Sequence, residues 1–217
     1  MPSVAYTNNT TNTNGGPVDS IVNDSCEDVF IDEELPGVNQ YGEANFSAGS
    51  AALAVKNLLF WIHGADYDLP VGATINSATL YVNAQAGGFN NFDLGSHQLL
   101  KDFWKDTTSW DTLSSIDSWQ TDGGTGALDI GVETDTNLVT GAGWYSWDVQ
   151  SIVQDFADNR GVLQIMLQAS GGNGGFRFMD RSISGTTDGV RWELIVDYTG
   201  GTAPTPPGSG TLIDFTG

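Results

Sequence analysis

Four tryptophans, Trp104, Trp110, Trp119 and Trp144, fall in or beside polar stretches of the chain, and Arg177 and Arg181 share strand parity with Met179 near its end. Flat indole faces cover the apolar C–H face of a pyranose, and guanidinium groups grip a carboxylate through two parallel N–H bonds. These six residues are the candidate ligand-binding set, and the ligand they suit is a polysaccharide. Competing roles exist for both types. Tryptophans plug loops onto a core. Arg177, Arg181 and Arg191 pair with Glu193 or Asp197 across strands, or with a neighbouring subunit.

Cation binding is a second chemistry. Asp28 and Asp32 stand in an acidic group with Glu27, Glu33 and Glu34, and Asp197 lies near the end of the chain. A Ca²⁺ ion takes about six to eight oxygen ligands, which carboxylates and turn carbonyls supply. Asp28, Asp32 and Asp197 are therefore the candidate ligands of a structural Ca²⁺, with a solvated acidic face as the alternative. EF-hand spacing is absent.

Catalytic residues are not expected. The chain has no GxSxG, no HExxH and no phosphate-cradling loop, and its carboxylates sit in no recognisable catalytic setting. His63 and His97 lack a Cys or His at ligand spacing. Cys26 is the only cysteine, so neither an intrachain disulfide nor a thiolate zinc site can form.

Charge narrows the partners. Seven basic residues face 27 acidic ones, for a net charge of −20. Nucleic acid and anionic membranes need Lys and Arg against their phosphates, so neither is an expected partner. A net charge this large keeps a surface soluble. The opening residues, MPSVAYTNNTTNTNGGP, carry neither the basic nor the apolar part of a secretory signal. No apolar run approaches the length of a membrane span. The expectation is a protein made in a cytoplasm that reaches its destination by assembly or lysis.

The elements that must position these residues are mostly strands. Residues 28–32, 52–63, 73–86, 97–103, 143–149, 161–169, 176–181 and 190–198 read as strands, by alternation or by apolar runs. The run from Ala52 to His63 is nearly all apolar, as in a strand buried on both faces. Tyr145, Trp147 and Val149 share one face, and so do Leu163, Ile165 and Leu167, with Gln164 and Gln168 opposite. Val149, Ile152, Val153 and Phe156 have the spacing of a short helix, which Asp148 can cap and Asn159 or Gly161 can end. Trp61, Trp147 and Trp192 sit in apolar contexts and belong to a core. The fold class is all-β: an antiparallel two-sheet jelly-roll sandwich with one short helix and extended N- and C-terminal tails. Residues 1–22 form the N-terminal arm and 23–199 the domain. Residues 200–217 are a Pro/Gly linker, GGTAPTPPGSG, with the apolar tail TLIDFTG.

Five segments in order carry a resemblance. They are EDVFID with a later NQYG, then LLFWIHGADYDLPVGATINSATLYV, FWKDTTSW, WYSWDVQSIVQDFADNRGVLQIMLQA and FRFMDRSISGTTDGVRWELIVDY. Across residues 27–199 this order resembles the DNRLRE family of jelly-roll domains, which is similar to certain carbohydrate-binding modules. The resemblance implies a jelly roll, a polysaccharide ligand and a structural Ca²⁺ near the meeting of first and last strands. The family's Arg entering the long central strand is missing, since the segment here reads VKNLLFWIHGAD with Lys56.

Two functions from different classes are expected. One is a non-catalytic structural surface protein of a virus-like particle, of the phage capsid-decoration or fibre type, with a glycan-adhesive role and a place on the virion surface. Its partners would be neighbouring subunits, bound by the terminal tails through strand addition. The other is a secreted, extracellular carbohydrate-binding module.

Overall fold

The computed structural model describes residues 3–7, 20–23, 27–41, 46–51, 54–62, 65, 69–85, 91–170, 175–179 and 192–202. In chain order the strands are β1 (Ser3–Thr7), β2 (Ser20–Asn23), β3 (Glu27–Asp32), β4 (Phe46–Ala51), β5 (Ala54–Trp61), β6 (Thr74–Ala84), β7 (Phe92–Gln98), β8 (Asp135–Val139) and β9 (Gly143–Asp148). After helix α1 (Gln150–Asn159) come β10 (Gln164–Ser170), β11 (Gly175–Met179) and β12 (Glu193–Thr199).

The strands form the two sheets of an all-β sandwich, antiparallel apart from the parallel pair β1–β2. One sheet runs β2-β1-β12-β6-β9. The other runs β3-β5-β10-β7-β8. Strand β4 pairs with the first residues of β5 and carries β11, whose Met179 meets Ala84 of β6 and joins the sheets at a corner.

Alternation explains the inner faces. In β6, Leu80, Val82 and Ala84 are buried while Thr79, Tyr81 and Asn83 are half-buried. Trp147 of β9 and Trp192, just before β12, are fully buried between the sheets with Phe60, Leu94 and Ile165. Helix α1 turns Ile152, Val153 and Phe156 onto the same core. Asp148 Oδ1 accepts the Gln150 amide at 2.9 Å, supporting the helix start. The helix ends at Arg160, in the left-handed region at φ 57°, with its amide bonded back to the Phe156 carbonyl. The guanidinium of Arg160 stacks over Phe156 at 4.9 Å, an attraction that compensates part of that strain.

The β3-β5-β10 sheet is covered on both faces. Leu58 and Phe60 point to the core between the sheets, while Val29, Ile31, Leu59 and Met166 point the other way. There they meet Leu99, Phe103, Trp110, Leu113 and Trp119 from the loop that follows β7. This second core is why the sequence around β5 is apolar on both faces, interrupted only by Lys56 and Asn57. Asn57, also fully buried, bridges the layers: Oδ1 accepts the Ala169 amide at 2.9 Å and Nδ2 donates to the Gly123 carbonyl at 3.0 Å.

One expected strand moves. Residues 97–103 read as a strand, but β7 occupies Phe92–Gln98, and the chain then leaves the sheet after a bridge between Leu99 and Ile130. In FDLGSHQ only Phe92 and Leu94 are apolar, which leaves β7 little alternation to read, and a Cβ at Gly95 would stand 2.2 Å from Glu133 Oε2.

Candidate functional site: the Trp104 groove

The loop from Leu100 to Ile130 is built around one buried carboxylate. Asp129 accepts the amides of Gln120 at 2.8 Å, Thr121 at 3.0 Å and Gly126 at 3.1 Å, and its Oδ1 lies 3.3 Å from Lys101 Nζ. Burial by itself would raise the Asp129 carboxyl, but the Gln120 and Thr121 amides, Lys101 and the Gly126 amide outweigh it and hold the group below the ordinary range. Lys101 also donates to the Ser118 carbonyl at 2.9 Å. Trp119 donates its indole N–H to the Ser109 carbonyl at 3.0 Å, and Thr108 donates to the Leu113 carbonyl at 2.6 Å. Asn39 ties the loop to the segment after β3 by donating to the carbonyls of Lys105 and Thr108 at 2.7 and 2.6 Å.

On this braced loop Trp104 is left outside. Its side of the chain is a tight turn, in which the amides of Thr107 and Thr108 both donate to the Trp104 carbonyl at 2.9 Å. The residue is 58% exposed, and its ring meets Trp61 edge-on, with centroids 6.0 Å apart. Trp61 in turn meets Phe103 at 6.5 Å. Trp104 forms one wall of an open groove of about 370 Å³, lined further by Asp106, Thr107, Ser114, Ser115 and Ile116. Ile116 is 95% exposed, so an apolar side chain and an indole border one depression with three hydroxyls. That combination suits a ligand with apolar faces and hydroxyl edges.

Beside the groove, Lys105 forms an ion pair with Glu27 and sits 4.9 Å above the Tyr41 ring. Its hydrogen bond to Glu27 outweighs partial burial and raises the ammonium's pKa above the ordinary value. Glu27 lies directly across from Trp61 on the β3–β5 ladder, which places ion pair and aromatic group side by side.

The other expected tryptophans lie away from the groove. Trp110 and Trp119 are buried in the second core, so neither indole presents a face to a ligand; this corrects the reading of four platform tryptophans. Trp144, 36% exposed, lies on β9 opposite Asn83, on a different sheet from the groove. Arg177 stands on β11 opposite Ala48; its side chain and all of Arg181 fall outside the described residues, as do Cys26, His63 and Arg191.

Asp28, Asp32 and Asp197 do not converge. Asp28 accepts the Trp192 indole N–H at 2.8 Å, and Asp32 accepts Lys56 Nζ at 2.7 Å and the Glu34 amide at 3.0 Å. Asp197 lies opposite Ser3 and Ser77 beside a bulge in β12, with a buried Oδ1 that has no hydrogen-bond partner among the described residues. Among the described residues no three His, Cys, Asp or Glu side chains come together as a metal site.

A second groove, of about 350 Å³, lies between the 131–134 segment and α1, lined by Gln98, Glu133, Thr134, Ser151, Ile152 and Asp155. Asp155 is already held by Gln98 at 2.8 Å and by Asn159 at 2.7 Å, and Glu133 lies 3.9 Å from His97.

Ile116, Tyr41 and the Ser114–Ser115 pair were not singled out from sequence. The one signal was Ile116 standing alone in the polar run SSIDS, where no partner in the sequence explains an isoleucine. No family model matches the chain, and no curated protein matches it.

Proposed function

We propose that this chain is a non-catalytic surface protein that takes a saccharide at the Trp104 groove, and that it is carried on the outside of a virus-like particle as a decoration or fibre component. The observation that carries the binding reading is the exposed Trp104 indole lining one groove with exposed Ile116 and three hydroxyls. Aromatic stacking on a pyranose gains most when the ring is held still before the ligand arrives. The Asp129 and Asn39 hydrogen bonds give Trp104 that support. A net charge of −20 suits a surface that must stay soluble in many copies.

Two measurements test this. In a glycan panel, the Trp104→Ala variant should lose at least tenfold in affinity, about 1.4 kcal/mol, with an unchanged melting temperature. Undiminished binding by the variant would remove the groove from the function. Mass spectrometry of density-gradient particles should find the chain at a fixed ratio to the main shell protein. Free protein in the medium and none on particles would replace the virion placement with the secreted carbohydrate-binding module.

A further inference from the structure

The Trp104 groove lies in an acidic stretch of the chain. The stretch from Lys101 to Asp117 carries two cations, Lys101 and Lys105, against Asp102, Asp106, Asp111 and Asp117. Both cations are committed inside the chain. Lys101 is shared between Asp129 and the Ser118 carbonyl, and Lys105 is paired with Glu27 over the Tyr41 ring. Asp106 lines the groove itself, and Asp102, Asp106, Asp111 and Asp117 are all exposed.

We propose, resting on the saccharide reading above, that the groove selects neutral sugars and rejects uronate and sulfated ones, because Glu27 withdraws Lys105 and Asp106 faces the ligand. An acidic sugar arriving here finds no uncommitted ammonium among the described residues and meets the Asp106 carboxylate at the groove wall. Like charges brought together in a half-solvated groove repel, and among the described residues no guanidinium borders the groove to offset the repulsion. A neutral pyranose keeps the stacking on Trp104 and offers hydroxyl donors that Asp106 can accept. Rejection by charge, beside attraction by stacking, is how a shallow site discriminates between sugars of one shape.

The test is calorimetric titration of the full chain with three tetrasaccharides of matched length: a neutral β-glucan, a polyuronate and a sulfated galactan. Trp104→Ala is run beside the wild type. The expected result is binding of the neutral sugar, loss of that binding in Trp104→Ala, and affinities at least about tenfold lower for both acidic sugars. The gap should narrow toward 1 M salt, where the screening length falls to about 3 Å. In Glu27→Gln, which frees Lys105, the polyuronate should gain affinity. Acidic sugars binding as tightly as the neutral one, and through Trp104, would overturn the selectivity while leaving the saccharide reading in place. No gain for the polyuronate in Glu27→Gln would overturn the role given to Lys105. If no sugar binds, or Trp104→Ala binds as the wild type does, both the selectivity and the saccharide reading fall.

Discussion

Trp192 donates its indole N–H to the Asp28 carboxylate at 2.8 Å, across 164 residues of chain. Both residues are buried, Trp192 entirely, and the Trp192 ring meets Phe60 edge-on at 4.9 Å. The bond links β3, in one sheet, to the residue that leads into β12, in the other. Trp192→Phe keeps most of the ring volume and removes the donor. Loss of a hydrogen bond to a buried charged group costs about 2–3 kcal/mol. Urea denaturation should show that loss, with an unchanged slope. A stability within 0.5 kcal/mol of the wild type would mean the bond contributes little.

The same contact bears on calcium. An ion held by Asp28, Asp32 and Asp197 would compete with the Trp192 indole and the Lys56 ammonium for two of its ligands, and the three do not form a metal-binding group. The melting temperature is therefore expected to be the same in EDTA and in millimolar Ca²⁺, since only an ion bound by the native state stabilises it by mass action. A fall in EDTA would place a structural ion in the protein and reopen the role of these aspartates.

Gly123 and Trp110 are matched. Gly123 has φ +81°, donates its amide to the Trp110 carbonyl at 2.6 Å, and leaves no room for a side chain: a Cβ would lie 2.5 Å from Trp110 Cη2. Gly123→Ala should cost about 2–3 kcal/mol, from left-handed strain plus overpacking. Tryptophan fluorescence should shift to the red as Trp110 is displaced. A variant with wild-type stability and emission would show that the loop repacks freely.

Asp129 predicts an acid-sensitive loop. Its folded-state pKa lies below the ordinary 3.8, so its contribution is complete above about pH 4 and is lost as pH falls through the lower folded value. Asp129→Asn should be about 2–3 kcal/mol less stable at pH 7, because a neutral amide accepts the Gln120, Thr121 and Gly126 amides poorly and no longer pairs with Lys101. The difference between the two proteins should shrink as the pH approaches 2. Parallel curves from pH 7 to 2 would exclude Asp129 as the titrating group.

Much of the fold was legible in the residues. The alternation in β6 and β9 and the i, i+3, i+4 spacing in α1 are local signals, set by the period of the backbone. The nearly continuous apolar run from Ala52 to His63 announced burial on both faces, but not what supplies the second cover. β1, β2, β4 and β8 were not legible. Their short polar or small-residue sequences become strands only through partners far along the chain, such as Val196 opposite Val4.

The tryptophans show the divide most clearly. The sequence by itself determined that a polar, Trp-bearing stretch runs from Lys105 to Gly126 and that its charge is acidic. Only the tertiary structure decided which tryptophan faces solvent. Trp110 and Trp119 are buried because the loop folds onto the outer face of β3, β5 and β10, while Trp104, in the turn closed by the Thr107 and Thr108 amides, meets Trp61 edge-on and stays exposed. A side chain's exposure depends on what packs over it, and here the packing partners, Val29, Leu59 and Met166, lie tens of residues away. Local periodicity carries no information about contacts at that separation.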